Sequence, residues 1–90
     1  MELTKNGSVV AQSLMEIEDA SVLHVVGNAT IETIYGTAPV VYLIKENGSE
    51  WSIDVGENNI VGSTSGILTP PANGVVTLVF DPVSTNYYIA

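Results

Sequence analysis

Two glutamates are the first residues in this sequence whose type and spacing suit catalysis. Glu16 and Glu18 stand two positions apart, so a strand would place both carboxylates on one face. Two carboxylates held about 5 to 10 Å apart can hydrolyse a glycosidic bond. Acidic side chains on a strand also prevent its edge from pairing with other chains. We favour the second role.

The single histidine, His24, is the next candidate. A general base needs a nucleophile and an orienting group close to it. No serine of the chain stands in the Gly-x-Ser-x-Gly elbow of the serine hydrolases. On a strand His24 would share a face with Val22 and Val26, and we therefore expect a core or interface histidine.

The stretch Asp54–Asn59 places several oxygen ligands close together. It lacks the spacing of the twelve-residue calcium loop, so a polar turn is the default interpretation, with weak calcium binding as the alternative. Taken together, these groups predict that the protein is not an enzyme, with no catalytic residue, no cofactor and no metal site.

Length and cysteine content limit how such a chain can be stabilised. Ninety residues make one domain, which buries roughly 60–65% of its unfolded surface and is marginally stable alone. The absence of cysteine excludes disulfides and thiolate zinc sites, and one histidine cannot form a histidine metal cluster within one chain. Oligomerisation is the remaining source of stability.

The charge balance narrows the class of partner. The sequence contains ten Asp and Glu residues but only two Lys or Arg residues, Lys5 and Lys45, which gives a net charge of −8. This argues against nucleic acid and against an anionic membrane surface. No apolar run approaches the roughly 18 residues of a membrane span, and the first residues do not resemble a signal peptide. We expect synthesis in a cytosol, with the protein kept there or released by lysis.

The elements that would position these residues are short strands. Six to eight of them arrive every 8–12 residues, separated by Gly, Asn or Pro, and no helix longer than two turns is expected. The sequence predicts one small all-β domain, either a sandwich, a roll or a short β-helical coil, completed by oligomerisation.

Four segments need a specific interpretation. Ser13–Asp19 fits a helical capping box or an alternating strand, and we favour strand or irregular structure. Ala29–Tyr35 is predicted to be one strand, and Glu46–Ser49 a hairpin-like turn after the apolar strand Val40–Lys45. The alternation in Glu50–Val55 places its tryptophan, isoleucine and valine on one side.

The C-terminal strand is apolar on both faces. Val76, Leu78 and Phe80 lie on one face of it and Val75, Thr77 and Val79 on the other, and a small chain has few layers to cover both. In the last strand, adjacent tyrosines point to opposite faces, so at least one is expected at a boundary with a partner. The candidate interface residues are Val75, Thr77, Val79, Tyr87 and Tyr88.

The order of the pieces from residue 21 to residue 89 resembles a β module of tailed bacteriophages. That module ends many tail fibres and tailspikes and occurs in head-surface proteins. The closing turn departs from the family, since Asp81–Asn86 replaces a tight Asp-Gly turn and a tyrosine stands in place of the usual tryptophan. The segments that carry the resemblance are His24–Ile34, Val40–Ile44, Asn59–Ser63, Asn73–Asp81 and Tyr87–Ile89.

The resemblance implies a virion structural protein that forms a homotrimer. Because the module makes up nearly the whole chain, we expect a capsid decoration (cement) protein or short head fibre, made in the host cytoplasm and located in the virion. Its partner would be the major capsid protein or another virion protein. Residues 1–20 would be an N-terminal anchor, and residues 21–90 the β domain. The alternative is a tail-fibre tip that binds host surface glycan. The candidate anchor residues are Leu3, Val9, Val10 and Leu14.

Overall fold

The computed structural model describes residues 8 to 90, which form eleven short strands and no helix. This confirms the all-β prediction. The strands are β1 (Ser8–Val10), β2 (Leu14–Glu18), β3 (Val22–Val26), β4 (Thr30–Ile31), β5 (Thr33–Gly36), β6 (Val40–Lys45), β7 (Ser52–Val55), β8 (Ile60–Val61), β9 (Gly66–Leu68), β10 (Val75–Asp81) and β11 (Asn86–Ile89).

Most neighbouring strands are parallel, because the chain returns to each sheet after a full circuit. β1, β3 and β6 lie side by side, β2 pairs with β5, and β4 pairs with β7, all parallel. Ser8 lies beside His24 and Val22 beside Tyr42, so one circuit takes about 16 to 20 residues. Among the three architectures that the sequence leaves open, this is the short β-helical coil, with three stacked coils.

A C-terminal hairpin closes one end of this stack. β10 pairs antiparallel with β6, β11 pairs antiparallel with β10, and β8 pairs parallel with β11. The result is a six-stranded sheet in the order β1-β3-β6-β10-β11-β8. The other two sheets contain β2 and β5, and β4, β7 and β9.

The core lies inside the coils because each strand directs alternate side chains inward. The predicted inward side of Glu50–Val55 is confirmed: Trp51, Ile53 and Val55 are all buried. Complete burial of an aliphatic or aromatic side chain contributes roughly 1.5–3 kcal/mol. The largest fully buried side chains are Trp51, Tyr87, Leu23, Ile31, Ile34, Leu43, Ile53, Ile60 and Leu78.

Two sequence predictions about connections are wrong, because the coil turns corners between sheets. The segment Ala29–Tyr35 is two strands separated at Glu32, with the N–H groups of Glu32 and Thr33 donating to the Ser13 carbonyl at 2.8 and 2.9 Å. Glu46–Ser49 is a turn, but it does not close a hairpin. The strands on either side of it, β6 and β7, belong to different sheets.

The described residues before position 21 belong to the β domain. β1 pairs with β3 and β2 pairs with β5, so residues 8–20 form the first coil of the fold. The strand interpretation of Ser13–Asp19 is confirmed by β2. Leu3, predicted to be an anchor residue, lies outside the described residues.

Candidate interaction surface

One side of the six-stranded sheet faces away from the core, and we call its side chains the outer face. Strand alternation and the pairing register assign them. The outer face is made of Val10, Val22, His24, Val26, Val40, Tyr42, Ile44, Val61, Val75, Thr77, Val79 and Tyr88, with Asp81 and Asn86 at its margin beside the β10–β11 turn.

The outer face is continuous because its side chains align in rows across the strands. One row runs from Val40 through Val79 and Tyr88 to Val61, crossing four strands. A second row joins Val22, Tyr42 and Thr77. Neighbours in such rows have Cβ atoms about 4.5–5.5 Å apart, close enough for one apolar surface to form.

This surface is apolar although it is open to solvent. Val75, Val79 and Tyr88 are 55%, 41% and 40% exposed. The only carboxylate that strand alternation and register place on the outer face is Asp81, which lies at the margin beside the β10–β11 turn. A sheet side that meets water normally alternates to polar residues. Large exposed apolar patches mark interaction sites. The outer face is therefore the candidate functional site.

The structure brings together four of the five predicted interface residues. Val75, Thr77, Val79 and Tyr88 all lie on the outer face. Sequence reasoning recognised that β6 is apolar on both sides but did not place Tyr42 beside Thr77, because strand pairing is not visible in one sequence.

Tyr87 is the exception, and its predicted place at an interface is wrong. It is fully buried, its ring lies 5.0 Å from that of Phe80, and its hydroxyl donates to the Ala38 carbonyl at 3.5 Å. Burial raises the pKa of Tyr87 above its ordinary value. In register it faces Ile60 and Phe80, on the inner side of the sheet.

The predicted anchor residues separate in space. Val10 is exposed at the β1 margin of the outer face, Val9 beside it is half-buried against the core, and Leu14 lies on β2 in another sheet. Of these three, Val10 alone joins the outer face.

His24 is the one titratable imidazole on this surface. Its Nδ1 atom lies 2.9 Å from Oε1 of Glu46, and both side chains are partly exposed. Glu46 follows the end of β6, so its carboxylate reaches the margin of the outer face. The pair places a polar contact at one border of an apolar surface.

Lys45, the only basic residue among those that the structure describes, is withdrawn from the surface. It is 3% exposed, its Nζ donates to the Pro70 carbonyl at 2.8 Å, and it lies 5.8 Å from the centre of the Trp51 ring. The described surface therefore carries carboxylates without any lysine or arginine, and its charge is negative outside the outer face.

The acidic residues considered for catalysis or metal binding lie apart from one another. Glu16 and Glu18 are exposed on β2, and Asp54 lies on β7 in a different sheet. Residues 8 to 90 contain no group of three or more His, Cys, Asp or Glu side chains arranged to hold a metal ion. In the same range no helix is long and apolar enough to cross a membrane.

A groove lies beside the closing hairpin. Its volume is about 630 Å³, and its lining residues include the exposed Tyr35 together with Phe80, Asn58 and Asn86. Aromatic rings next to amide groups can stack on a ligand and hydrogen-bond to it.

Compared with known proteins, the chain matches no family model, no curated protein and no solved structure.

Proposed function

We propose that this protein is a structural component of a tailed-bacteriophage particle, a capsid decoration protein or short head fibre that binds the shell as a homotrimer. The resemblance of residues 21–89 to the phage β module supports the virion assignment and the number of subunits. The exposed apolar outer face is the single structural observation that supports association of the subunits.

The net negative charge of the protein favours a second copy of this chain as the partner that binds the outer face. Two proteins of net charge −8 repel each other over most of their surfaces. The outer face carries one carboxylate, Asp81 at its margin, so copies that meet over Val75, Val79 and Tyr88 bury apolar side chains and reduce that repulsion. Oligomerisation is also the stabilising device that the size and composition leave open.

The mechanism of the protein is adhesion. Subunits associated through the outer face present the rest of each coil stack to the shell. A trimer that binds only the assembled lattice stabilises that lattice by mass action. Because the three subunits of one trimer bind the shell together, weak contacts from each subunit combine into tight overall binding.

The assignment is tested by the mass of the protein in solution and by its binding to particles. We expect sedimentation velocity to give a trimer and co-sedimentation to place the protein on empty capsids of the phage that encodes it. A monomer that stays in the supernatant with those capsids would refute the assignment.

A second function is favoured by the groove beside the hairpin. Tyr35 offers an exposed ring and Asn58, also exposed, offers an amide, which together suit a sugar of a host surface glycan. In this alternative the protein is a tail-fibre tip that binds the host. A glycan array probed with the wild type and with Tyr35→Ala tests it, and the absence of binding to any host polysaccharide would remove it.

A further inference from the structure

The coil stack has one end that no described strand closes. β1 is the terminal strand of the six-stranded sheet, and β2 pairs with β5 alone. Because β1 lies on β3 and β2 lies on β5, the unpaired edges of both strands face the same end of the stack. The opposite end is covered by the β10–β11 hairpin.

Among the described residues, the outer backbone edges of β1 and β2 have no partner strand, and a groove that can hold side chains lies beside them. An unpaired strand edge presents a row of N–H and C=O groups that can accept another strand. Beside the two edges lies a groove of about 510 Å³, lined by Val10, Leu14 and Met15 together with the polar Gln12 and Ser13. A strand added at the edge could place alternate side chains in this groove.

We propose that the open end binds an extended, basic segment of the shell protein, which pairs with the first coil as an added strand. The identity of that partner rests on the proposed function, whereas the mode of binding rests on the geometry of β1 and β2. Backbone pairing supplies affinity, and side-chain contacts at the groove supply specificity.

The charge of the first coil selects a basic segment. Glu16 and Glu18 point outward on β2 and are exposed, and residues 8 to 20 include no lysine or arginine. A second copy of this chain would bring these glutamates against their own counterparts, and like charges across strands are destabilising. A segment with Lys or Arg at alternate positions forms favourable pairs instead.

The pairing irregularity of β2 limits where the strand adds. The register between β2 and β5 shifts between Glu16 and Glu18, and Glu18 has a positive φ of 53°. Such a bulge twists the strand away from regular pairing. The added strand therefore pairs along Leu14–Glu16 and along β1.

The test uses three short synthetic peptides titrated into the full chain by calorimetry at physiological salt. One alternates lysine and valine, the second is the same peptide with alternate backbone nitrogens methylated, and the third carries glutamate in place of lysine. We expect the first to bind, the second to bind about tenfold more weakly because its backbone donors are blocked, and the third not to bind.

Hydrogen exchange locates the site, with the expectation that amides of β1 and β2 gain protection. The double variant Glu16→Lys with Glu18→Lys is expected to prefer the glutamate peptide. The matched control, Glu50→Lys with Glu57→Lys, changes two exposed glutamates away from this end and should keep the lysine preference.

Three results would overturn the proposal. The first is equal binding of the methylated peptide, and the second is protection outside β1 and β2. The third is tenfold tighter binding by a chain lacking residues 2–7, which would make those residues the native occupant of the edge. The oligomeric state is measured on the same samples, so a monomer that still adds the strand refutes the proposed function and leaves this inference standing.

Discussion

The side-chain amide of Asn59 takes the place of a strand beside Ile34. The Ile34 N–H donates to Oδ1 of Asn59 at 3.0 Å, and Nδ2 of Asn59 donates to the Ile34 carbonyl at 2.6 Å. The carbonyl of Asn59 meanwhile accepts from the Tyr87 N–H at 2.8 Å. One residue thus joins the second coil to the closing hairpin.

Asn59→Ala should destabilise the fold by about 2 kcal/mol, because it leaves both backbone groups of the buried Ile34 without their partner. Urea unfolding followed by Trp51 fluorescence measures the change. Asn58→Ala is the control, since Asn58 is exposed and should cost less than about 0.5 kcal/mol. Equal costs at the two positions would show that the paired amide adds nothing.

Trp51→Phe should destabilise the fold by about 3 kcal/mol. The indole Nε1 donates to the Val25 carbonyl at 2.9 Å within a fully buried site, so the change removes a hydrogen bond and leaves a cavity. Circular dichroism during thermal unfolding gives the measurement. Tyr35→Phe removes a hydroxyl from an exposed side chain and is expected to unfold like the wild type.

Val79→Asp should dissociate the oligomer while the subunit stays folded. The residue is 41% exposed in the single chain and central in the outer face, so the variant would bury one carboxylate per subunit in an apolar contact. We expect a dissociation constant at least about 100-fold higher, measured by sedimentation velocity.

Val83→Asp is the matched control for that change. Val83 is 93% exposed in the turn between β10 and β11 and does not belong to the outer face, so the variant adds the same charge elsewhere. It should assemble like the wild type. A folded Val79→Asp variant with the wild-type mass would remove the outer face as the subunit contact.

Asp81 should contribute to stability in a pH-dependent way. The Val83 N–H at 3.0 Å and the Ser84 hydroxyl at 2.9 Å both donate to its carboxylate and hold its pKa below the ordinary value of 3.8. A lowered folded pKa means that the stabilisation is present above 3.8 and is lost as the pH falls through the folded pKa.

Asp81→Asn is therefore expected to lower the urea midpoint at pH 7 and to have a smaller effect at pH 3. Denaturation curves of both proteins at the two pH values test this. A difference that stays constant between them would mean that the charge of Asp81 is not what stabilises the turn.

Local sequence patterns predicted the inward and outward faces of the longer strands, but not every strand boundary, since Ala29–Tyr35 is two strands. Strict alternation around Ile53 identified the buried side of β7, and the two apolar sides of β10 were separated correctly into Val76 and Leu78 inside and Val75 and Val79 outside. Period-two patterns carry this information because neighbouring side chains on a strand point in opposite directions.

The arrangement of the strands was not predictable in the same way. Parallel partners such as Ser8 and His24 lie a full coil apart, and no short motif encodes their register. The adjacent tyrosines 87 and 88 have the same chemistry, so only the pairing of β11 with β8 and β10 decides which of them is buried. The role of Asn59 was missed because its stretch resembles an ordinary polar turn.

The place of β10 in the large sheet has a consequence for synthesis. β10 lies between β6 and β11, and β8 joins the sheet only through β11. While a ribosome is still translating residues 75–89, the third coil cannot close, and the edge of the apolar strand β6 stays available to other nascent chains. We therefore expect misassembly through the unpaired edge of β6 to be most frequent during this interval of translation.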